Sequence, residues 1–255
     1  MSQYDDVQCF VDASQKVARP EELFGLMQDV SREMGFDHFA LVHHVDLPAM
    51  RLDGPLVTRE LIALSDYPQD WTDQYLREHM VRDDPVLLAS RHSVAGFTWD
   101  RIGELIDLTP AHRRLIERTR RAGIVDGFSV PAHVPGEPNG TCNFAVGSGR
   151  AIPRHNLLMA QLVGSFAFAA ARALARRIHE VPVRRRVQLT PRLRDCIELA
   201  GRGKSDWEIG QILGLTQATV TTYMQRARGL YEVSTRIQVV LMALYDGEIA
   251  LGALG

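Results

Sequence analysis

Cysteine is scarce in this chain of 255 residues: Cys9, Cys142 and Cys196 lie far apart and form no CxxC or CxxH pair. That spacing excludes a disulfide framework and a zinc site, and a reducing, cytoplasmic compartment is the expectation. Charge of one sign is missing as well. A net charge of −2 excludes a protein that coats a polyanion by bulk attraction. Long hydrophobic runs are few. The most apolar one, Leu157 to Ala171, is interrupted by Gln161 and Ser165 and closed by Arg172, short of the roughly 20 residues of a bilayer span. It reads as a helix buried in a core or against a partner subunit, with no membrane association. The opening MSQYDD is acidic where a signal peptide would be basic and then apolar. Catalytic signatures are absent too: there is no GxSxG, HExxH, Walker loop or GxGxxG, and GSGR at 147–150 is a lone glycine turn. His43, His44 and Asp46 suggest a metal-dependent hydrolase, but adjacent residues of a strand point to opposite faces and cannot both reach one ion. No metal, no cofactor and no catalysis are expected.

What is present divides the chain in two. A hydrophobic content of 45% can bury real cores, and the punctuation gives a domain over 1–180, a linker over 181–188 and a domain over 189–255. The last of these opens with Thr190 as N-cap and Pro191 at the first helical position, followed by Leu193, Cys196, Ile197 and Ala200 at helical spacing. Ser205 and Glu208 form a capping box at the start of a short helix over 206–213. Gly214 ends that helix and Thr216 caps the next after a tight turn, the spacing of a helix-turn-helix. In the second helix Val220, Met224, Ala227 and Tyr231 share one face, while Ala218, Thr222, Gln225 and Arg226 lie opposite. Ser234 reads as the cap of a fourth helix whose apolar stripe is Ile237, Val240, Leu241 and Leu244.

Thr219, Thr221, Thr222, Gln225, Arg226 and Arg228 are the candidate DNA contacts, since arginine pairs with guanine, glutamine with adenine, and threonine with either bases or phosphates. A polar face opposite an apolar one equally describes a solvated surface helix. Charge favours the first reading: residues 181–255 hold ten basic and seven acidic side chains, a balance of +3, against −5 for residues 1–180. The run LTPRLRDCIELAGRGKSDWEIGQILGLTQATVTTYMQRARGLYEVSTR, residues 189–236, resembles the C-terminal DNA-binding domain of LuxR-type transcription factors. It departs from the family in having Leu193 where glutamate is usual, Thr221 and Tyr223 where lysine and histidine are frequent, and Gly229 inside the reading helix.

The first 180 residues alternate helix and strand. Helices are expected from Pro20 to Gly35, Pro68 to Glu78, Pro85 to Ser90 and Thr109 to Gly123, with a long one from His155 to Ile178. Strands are expected at Phe39–Val45 and Glu60–Leu64, and a hairpin at Gly127–Val134 and Thr141–Gly147 around PGEPNG. The fold class is therefore an N-terminal α-β-α sandwich (α+β) followed by an all-α four-helix domain. The linker VPVRRRVQ carries three arginines that either stay solvated or touch phosphates.

Aromatic residues make up only 7% of the chain, yet Tyr67, Trp71, Tyr75 and Trp99 fall within 33 positions around Asp84. Trp71 and Tyr75 share a helical face, and Asp84 is fixed by Pro85 beside the next helix. An indole and a phenol that donate, with a carboxylate that accepts, complement an amide-bearing ligand. Aromatics at helical spacing also describe a plain core, and an aspartate before proline a plain helix start. The pattern Tyr67, Trp71, Tyr75, Asp84, Pro85, Trp99 and Gly127 resembles the N-acyl-homoserine-lactone-binding domain of LuxR quorum-sensing regulators. The resemblance implies that Trp71 donates to the lactone carbonyl, Asp84 accepts from the ligand amide, Tyr67 donates to the acyl carbonyl, and Tyr75 and Trp99 wall the ring. A further polar position aligns with Val146, Asn143 or Ser148, and Ser129 is another candidate. The implied partners are an acyl lactone, a second copy of the chain paired through residues 155–178, and a pseudo-palindromic promoter site. Two alternatives stand beside this: an orphan regulator that acts without lactone or on another small signal, and a lactone-hydrolysing enzyme. A phosphorylation-driven response regulator would need an acidic cluster after a first strand that residues 1–120 do not lay out.

Overall fold

The structure is a computed structural model that describes residues 3–44, 56–57, 62–134, 139–178, 187–250 and 252. It forms two compact units, Met1–Pro182 and Val183–Gly255. The expected linker at 181–188 lies, except for its last two residues, outside the described residues.

The first unit is built on a sheet of β1 (His38–His43), β2 (Leu56–Val57), β3 (Ile62–Ser65), β4 (Phe97–Thr98), β5 (Asp126–Ala132) and β6 (Gly140–Val146). The order is β2-β3-β1-β6-β5-β4 with every described pairing antiparallel. The expected hairpin is β5 with β6, the expected partner of β1 is β3, and Val45 and residues 58–61 lie outside the described residues. Around the sheet run α1 (Gln3–Ser14), α2 (Pro20–Glu33), α3 (Gln69–Arg77), α4 (Pro85–Ser90), α5 (Ile102–Leu105), α6 (Pro110–Arg121) and α7 (Leu157–Ile178). The helix α1 was not anticipated: its buried Val7, Phe10 and Val11 are set among acidic and polar residues that thin the apolar pattern.

Strand alternation sends the two faces of the sheet to different tasks. On one face Phe39, Leu41, Ile62, Leu64, Phe128, Val130, Cys142, Phe144 and Val146 form the main core with α1, α2 and α7. That face is filled by large side chains. The other face carries Ala40, Val42, Ala63, Ser65, Gly127, Ser129, Thr141, Asn143 and Ala145, which are mostly small. Helices cannot close down on such a face without leaving space.

The helix over residues 154–178 contains an 18-residue window of mean hydropathy 1.6, by length and composition apolar enough to cross a bilayer, a longer stretch than the sequence reading allowed. Here Ala160, Val163, Ala167, Ala171 and Leu174 are fully buried on the sheet. Gly164 lets the helix approach closely, for a Cβ there would lie 3.0 Å from Val130. The opposite face leaves Leu158, Leu162 and Phe166 exposed at intervals of four residues.

The second unit holds α8 (Pro191–Gly201), α9 (Asp206–Leu213), α10 (Gln217–Tyr231) and α11 (Arg236–Tyr245). The expected inner faces are observed for α8 and α10: Leu193, Cys196, Ile197, Ala200, Val220, Met224, Ala227 and Tyr231 are all buried. Thr190 is the N-cap of α8, though its side chain makes no capping bond. Two expectations for α11 fail. Thr235 caps it, through a capping box with Gln238, and Ser234 adds its hydroxyl and its backbone N–H to the same Gln238 oxygen. The buried residues are Val239, Val240 and Ala243, while Ile237 and Leu241 are more than half exposed. Of the expected stripe only Val240 is buried, and the inward face is turned towards Val239 and Ala243.

Candidate functional site

A cavity of about 790 Å³ lies against the small-residue face of the sheet. Tyr67, Trp71, Tyr75, Asp84 and Trp99 all line it, so five of the six candidate ligand residues converge on one space. The sixth, Ser129, is fully buried and lies behind the wall. There it accepts a hydrogen bond from Trp99 Nε1 at 2.9 Å and donates to Asn143 Oδ1 at 2.6 Å.

Local structure explains each placement. Trp71 and Tyr75 sit one turn apart on α3 with ring centroids 6.1 Å apart. Asp84 is the N-cap of α4: its Oδ1 accepts from the Val86 backbone N–H at 2.8 Å, and Pro85 occupies the first helical position. Its other oxygen accepts from the Tyr75 hydroxyl at 2.7 Å. The helix-start reading and the binding reading of Asp84 are thus compatible, because the cap fixes a carboxylate that also faces the cavity. Burial pushes the Asp84 carboxyl above its ordinary range, with the Tyr75 hydrogen bond pulling the other way. Burial also raises the Tyr67 and Tyr75 phenols well above theirs, so both stay protonated donors. Tyr67 stands edge-on to His38 at 6.0 Å between centroids. Asp66 raises the His38 pKa and also accepts the Phe39 backbone N–H at 2.7 Å.

Gly127 is where it is for Trp99. A Cβ at that position would lie 2.7 Å from the indole ring and 2.6 Å from the Phe144 carbonyl oxygen. Of the three positions offered for a further polar group, Asn143 lines the cavity. Val146 belongs to the opposite core, and Ser148 follows the end of β6 without lining the cavity. The histidine pair expected in one strand is split: His43 is buried against Phe168, and His44 follows the strand's end. Among the described residues no group of three histidine, cysteine or carboxylate side chains could hold a metal ion.

In the second unit α9 and α10 make the tight pair. Ser205 and Glu208 form the capping box, Gly214 is left-handed at φ 68°, and the Thr216 side chain accepts from the Thr219 N–H at 3.1 Å. Gly210 allows the turn: a Cβ there would sit 2.7 Å from the Leu215 carbonyl oxygen. Sequence reading missed this glycine, which breaks an apolar helix with no cap nearby to explain it. The candidate DNA contacts fall into two groups. Thr222, Gln225 and Arg226 are exposed on the outer face of α10. Thr219 bonds Thr216 through its hydroxyl at 2.8 Å, and Thr221 donates to Asp206 at 2.7 Å. Arg228 reaches the Ser234 carbonyl at 3.4 Å. Asp206 also takes Arg236, so it holds α9, α10 and α11 in one arrangement.

Known proteins match both units. The family model described as autoinducer binding domain matches residues 19–174, and the one described as bacterial regulatory proteins, luxR family, matches residues 187–243. RpaR of Rhodopseudomonas palustris, a quorum sensing-dependent transcriptional regulator, is 29% identical over 242 residues, covering 95% of this chain and 94% of its own. The transcriptional activator LuxR of Aliivibrio fischeri is 25% identical over 203 residues, covering 76% of this chain and 77% of its own. A crystal structure of Escherichia coli SdiA aligns with TM-score 0.62 at 20% identity, covering 98% of this chain and all of that one. SdiA in complex with octanoyl-rac-glycerol aligns with TM-score 0.59 at 19% identity, covering 96% of each.

Proposed function

The chain belongs to the LuxR-type family of autoinducer-binding transcriptional regulators, is not an enzyme, and from that premise we propose that its ligand is an N-acyl-homoserine lactone held in the first unit. The observation that carries the proposal is the convergence of Tyr67, Trp71, Tyr75, Asp84 and Trp99 on one cavity. Asp84 accepts the ligand amide N–H, Trp71 and Tyr67 donate to the two carbonyls, and Tyr75 and Trp99 wall the lactone ring. Tyr75 has the added task of orienting the Asp84 carboxylate through their 2.7 Å bond. Ser129 acts from behind by holding Trp99.

Residues 1–180 bind ligand and dimerise, 181–188 link, and 189–255 read a pseudo-palindromic promoter site in the cytoplasm. The exposed Leu158, Leu162 and Phe166 stripe on α7 supports the dimer, since a monomer leaves that apolar surface in water. Thr222, Gln225 and Arg226 face the bases. Thr219, Thr221 and Arg228 set the helix and lie within reach of the backbone.

The test is recovery of N-octanoyl-homoserine lactone from the purified protein by mass spectrometry. Intact lactone retained by the parent and lost by Trp71→Phe is the expected result, and ring-opened product would refute the receptor reading. A second acylated signal is worth a competing arm, because an octanoyl glycerol occupies a protein of the same fold. Displacement of the lactone only by acylglycerol, with no retention of lactone alone, would replace the ligand assignment.

A further inference from the structure

The cavity floor carries a chain of side-chain hydrogen bonds whose direction is fixed at both ends. An indole N–H can only donate, so Trp99 Nε1 obliges the Ser129 oxygen to accept, and the Ser129 proton goes to Asn143 Oδ1. The carboxamide is thereby oriented. Its Nδ2 donates to Thr141 Oγ1 at 2.9 Å and to the Ala40 carbonyl at 3.4 Å, an acceptor that has no proton to offer. Thr141 Oγ1 in turn lies 3.1 Å from His44 Nε2. Burial, with Arg91 nearby, holds the His44 pKa down to about 3 and keeps the ring neutral, so the imidazole adds no cation at this end of the chain.

Asn143 is therefore asymmetric towards the cavity it lines. Both amide hydrogens are committed, while Oδ1 uses only one of its two lone pairs. Its position along the sheet matters as well. Asn143 pairs with Ser129 on one side and Ala40 on the other, and Ala40, also a cavity residue, is too small to cover it. Two residues along β6 lies Ala145, which clusters with Trp71, Tyr67, Tyr75 and Trp99. Two residues of strand span roughly 7 Å, of the order of the reach from a lactone ring to the third carbon of an acyl chain.

Resting on the lactone reading above, we infer that Asn143 gives the acyl arm an acceptor-only wall, so that the receptor prefers an acyl chain bearing a 3-hydroxyl to one bearing a 3-keto group. A hydroxyl donates to the spare Oδ1 lone pair. A keto oxygen would meet that lone pair with no proton between them, leaving the keto oxygen buried and unsatisfied beside a repelling acceptor.

The experiment is calorimetric titration of the full-length protein with N-octanoyl-, N-(3-oxooctanoyl)- and N-(3-hydroxyoctanoyl)-L-homoserine lactone. The parent should bind the 3-hydroxy ligand about ten-fold or more tighter than the 3-oxo ligand. In Asn143→Leu the ratio should fall to about one. In Ser129→Ala the Oδ1 loses the proton that holds it in place while Nδ2 keeps only Thr141 and the long bond to Ala40, so the amide is less firmly oriented and the ratio should fall below that of the parent without reaching that of Asn143→Leu. A merely structural role for Ser129 would weaken all three ligands equally. Because each readout is a ratio within one protein, a loss of folding yield does not mimic it. Equal binding of the two substituted ligands by the parent, or a ratio unchanged in both variants, overturns the inference and leaves the lactone reading standing. Binding of none of the three by the parent overturns the lactone reading and this inference together.

Discussion

Replacing Asp84 in two ways separates its structural and ligand-binding work. In Asp84→Ala the α4 cap is lost, costing about 1 kcal/mol, and the Tyr75 hydroxyl is left buried without its acceptor, costing about 1–3 kcal/mol. The sum of roughly 2–4 kcal/mol lowers the Tm of a domain this size by roughly 5–15 °C. Asp84→Asn keeps a side-chain oxygen for the Val86 N–H, and asparagine caps helices as well as aspartate does, so the unliganded Tm should stay within a few degrees of the parent. Its amide nitrogen now faces the Tyr75 side, where the phenol oxygen can accept. The ligand N–H, however, meets a donor in place of a carboxylate. A hydrogen bond to a charged group contributes about 1.5–3 kcal/mol, so affinity for N-octanoyl-homoserine lactone should drop roughly 10- to 150-fold. Thermal unfolding and calorimetry on the same preparations measure both quantities. If Asp84→Asn bound the lactone like the parent, the carboxylate would be a helix cap and nothing more, and the donor–acceptor assignment of the cavity would be wrong.

Acidification should weaken lactone binding as Asp84 protonates, starting above the pH at which an ordinary carboxylate does so, because burial raises its pKa. Without ligand the sign reverses: a raised folded pKa means that Asp84 costs stability once ionised, so its contribution is present at low pH and lost as pH rises through that pKa. Titrating Tm with and without lactone should give curves that converge at low pH, and parallel curves would refute the linkage. Gly127→Ala should drive Trp99 from its seat, lowering stability by about 1–3 kcal/mol and shifting tryptophan fluorescence, whereas an unchanged spectrum would mean the indole sits elsewhere. Gly229→Ala should stabilise the second unit by about 0.5–1 kcal/mol in denaturant melts, since a Cβ there meets nothing within 4 Å; a destabilised variant would contradict the helix geometry. Arg226→Ala should relax the base preference of selected DNA sites, while Arg228→Ala should lower affinity for all sequences and reduce the salt slope by about one, and equal effects of the two would merge their roles.

The helices with ends marked by proline, glycine or capping residues were legible because those residues act locally. Pro85 and Ser90 bound α4 as expected, and the Ser205–Glu208 box opens α9. Caps failed where two candidates stood side by side: Ser234 and Thr235 both reach Gln238, and only the backbone decides which is the cap. The inward face of the same helix was misread as well, since the apolar Ile237 and Leu241 lie at the surface and spacing alone did not separate them from Val239 and Ala243. The aromatic side of the cavity was legible because unusual residues cluster in sequence from Tyr67 to Trp99. Its floor was not, since Ala40, Ala63 and Asn143 come from three strands and become neighbours only through register. Asn143 could be offered as one of three alternatives, and choosing it required knowing that β6 turns even-numbered residues to the main core and odd-numbered ones to the cavity.

That division of the sheet also says how a ligand could govern the chain. The face towards α7 is filled by phenylalanine, leucine and isoleucine, so it needs nothing else to fold. The other face is floored mostly by small side chains, and between it and α3, α4 and α6 lies the cavity, walled by buried tyrosine hydroxyls and the Asp84 carboxylate. A bound acyl lactone would add apolar contact and hydrogen bonds on this side, and at 100 times its Kd it adds about 2.7 kcal/mol to folding. This is comparable with the whole effect of Asp84→Ala, so an occupied cavity should raise the parent's Tm by about as much as that substitution lowers it. The elements that gain from occupancy are α3, α4 and α6, and slowed hydrogen exchange on adding lactone should therefore be confined to those helices and the strands beneath them, leaving α1 and the inward face of α7 as protected as before.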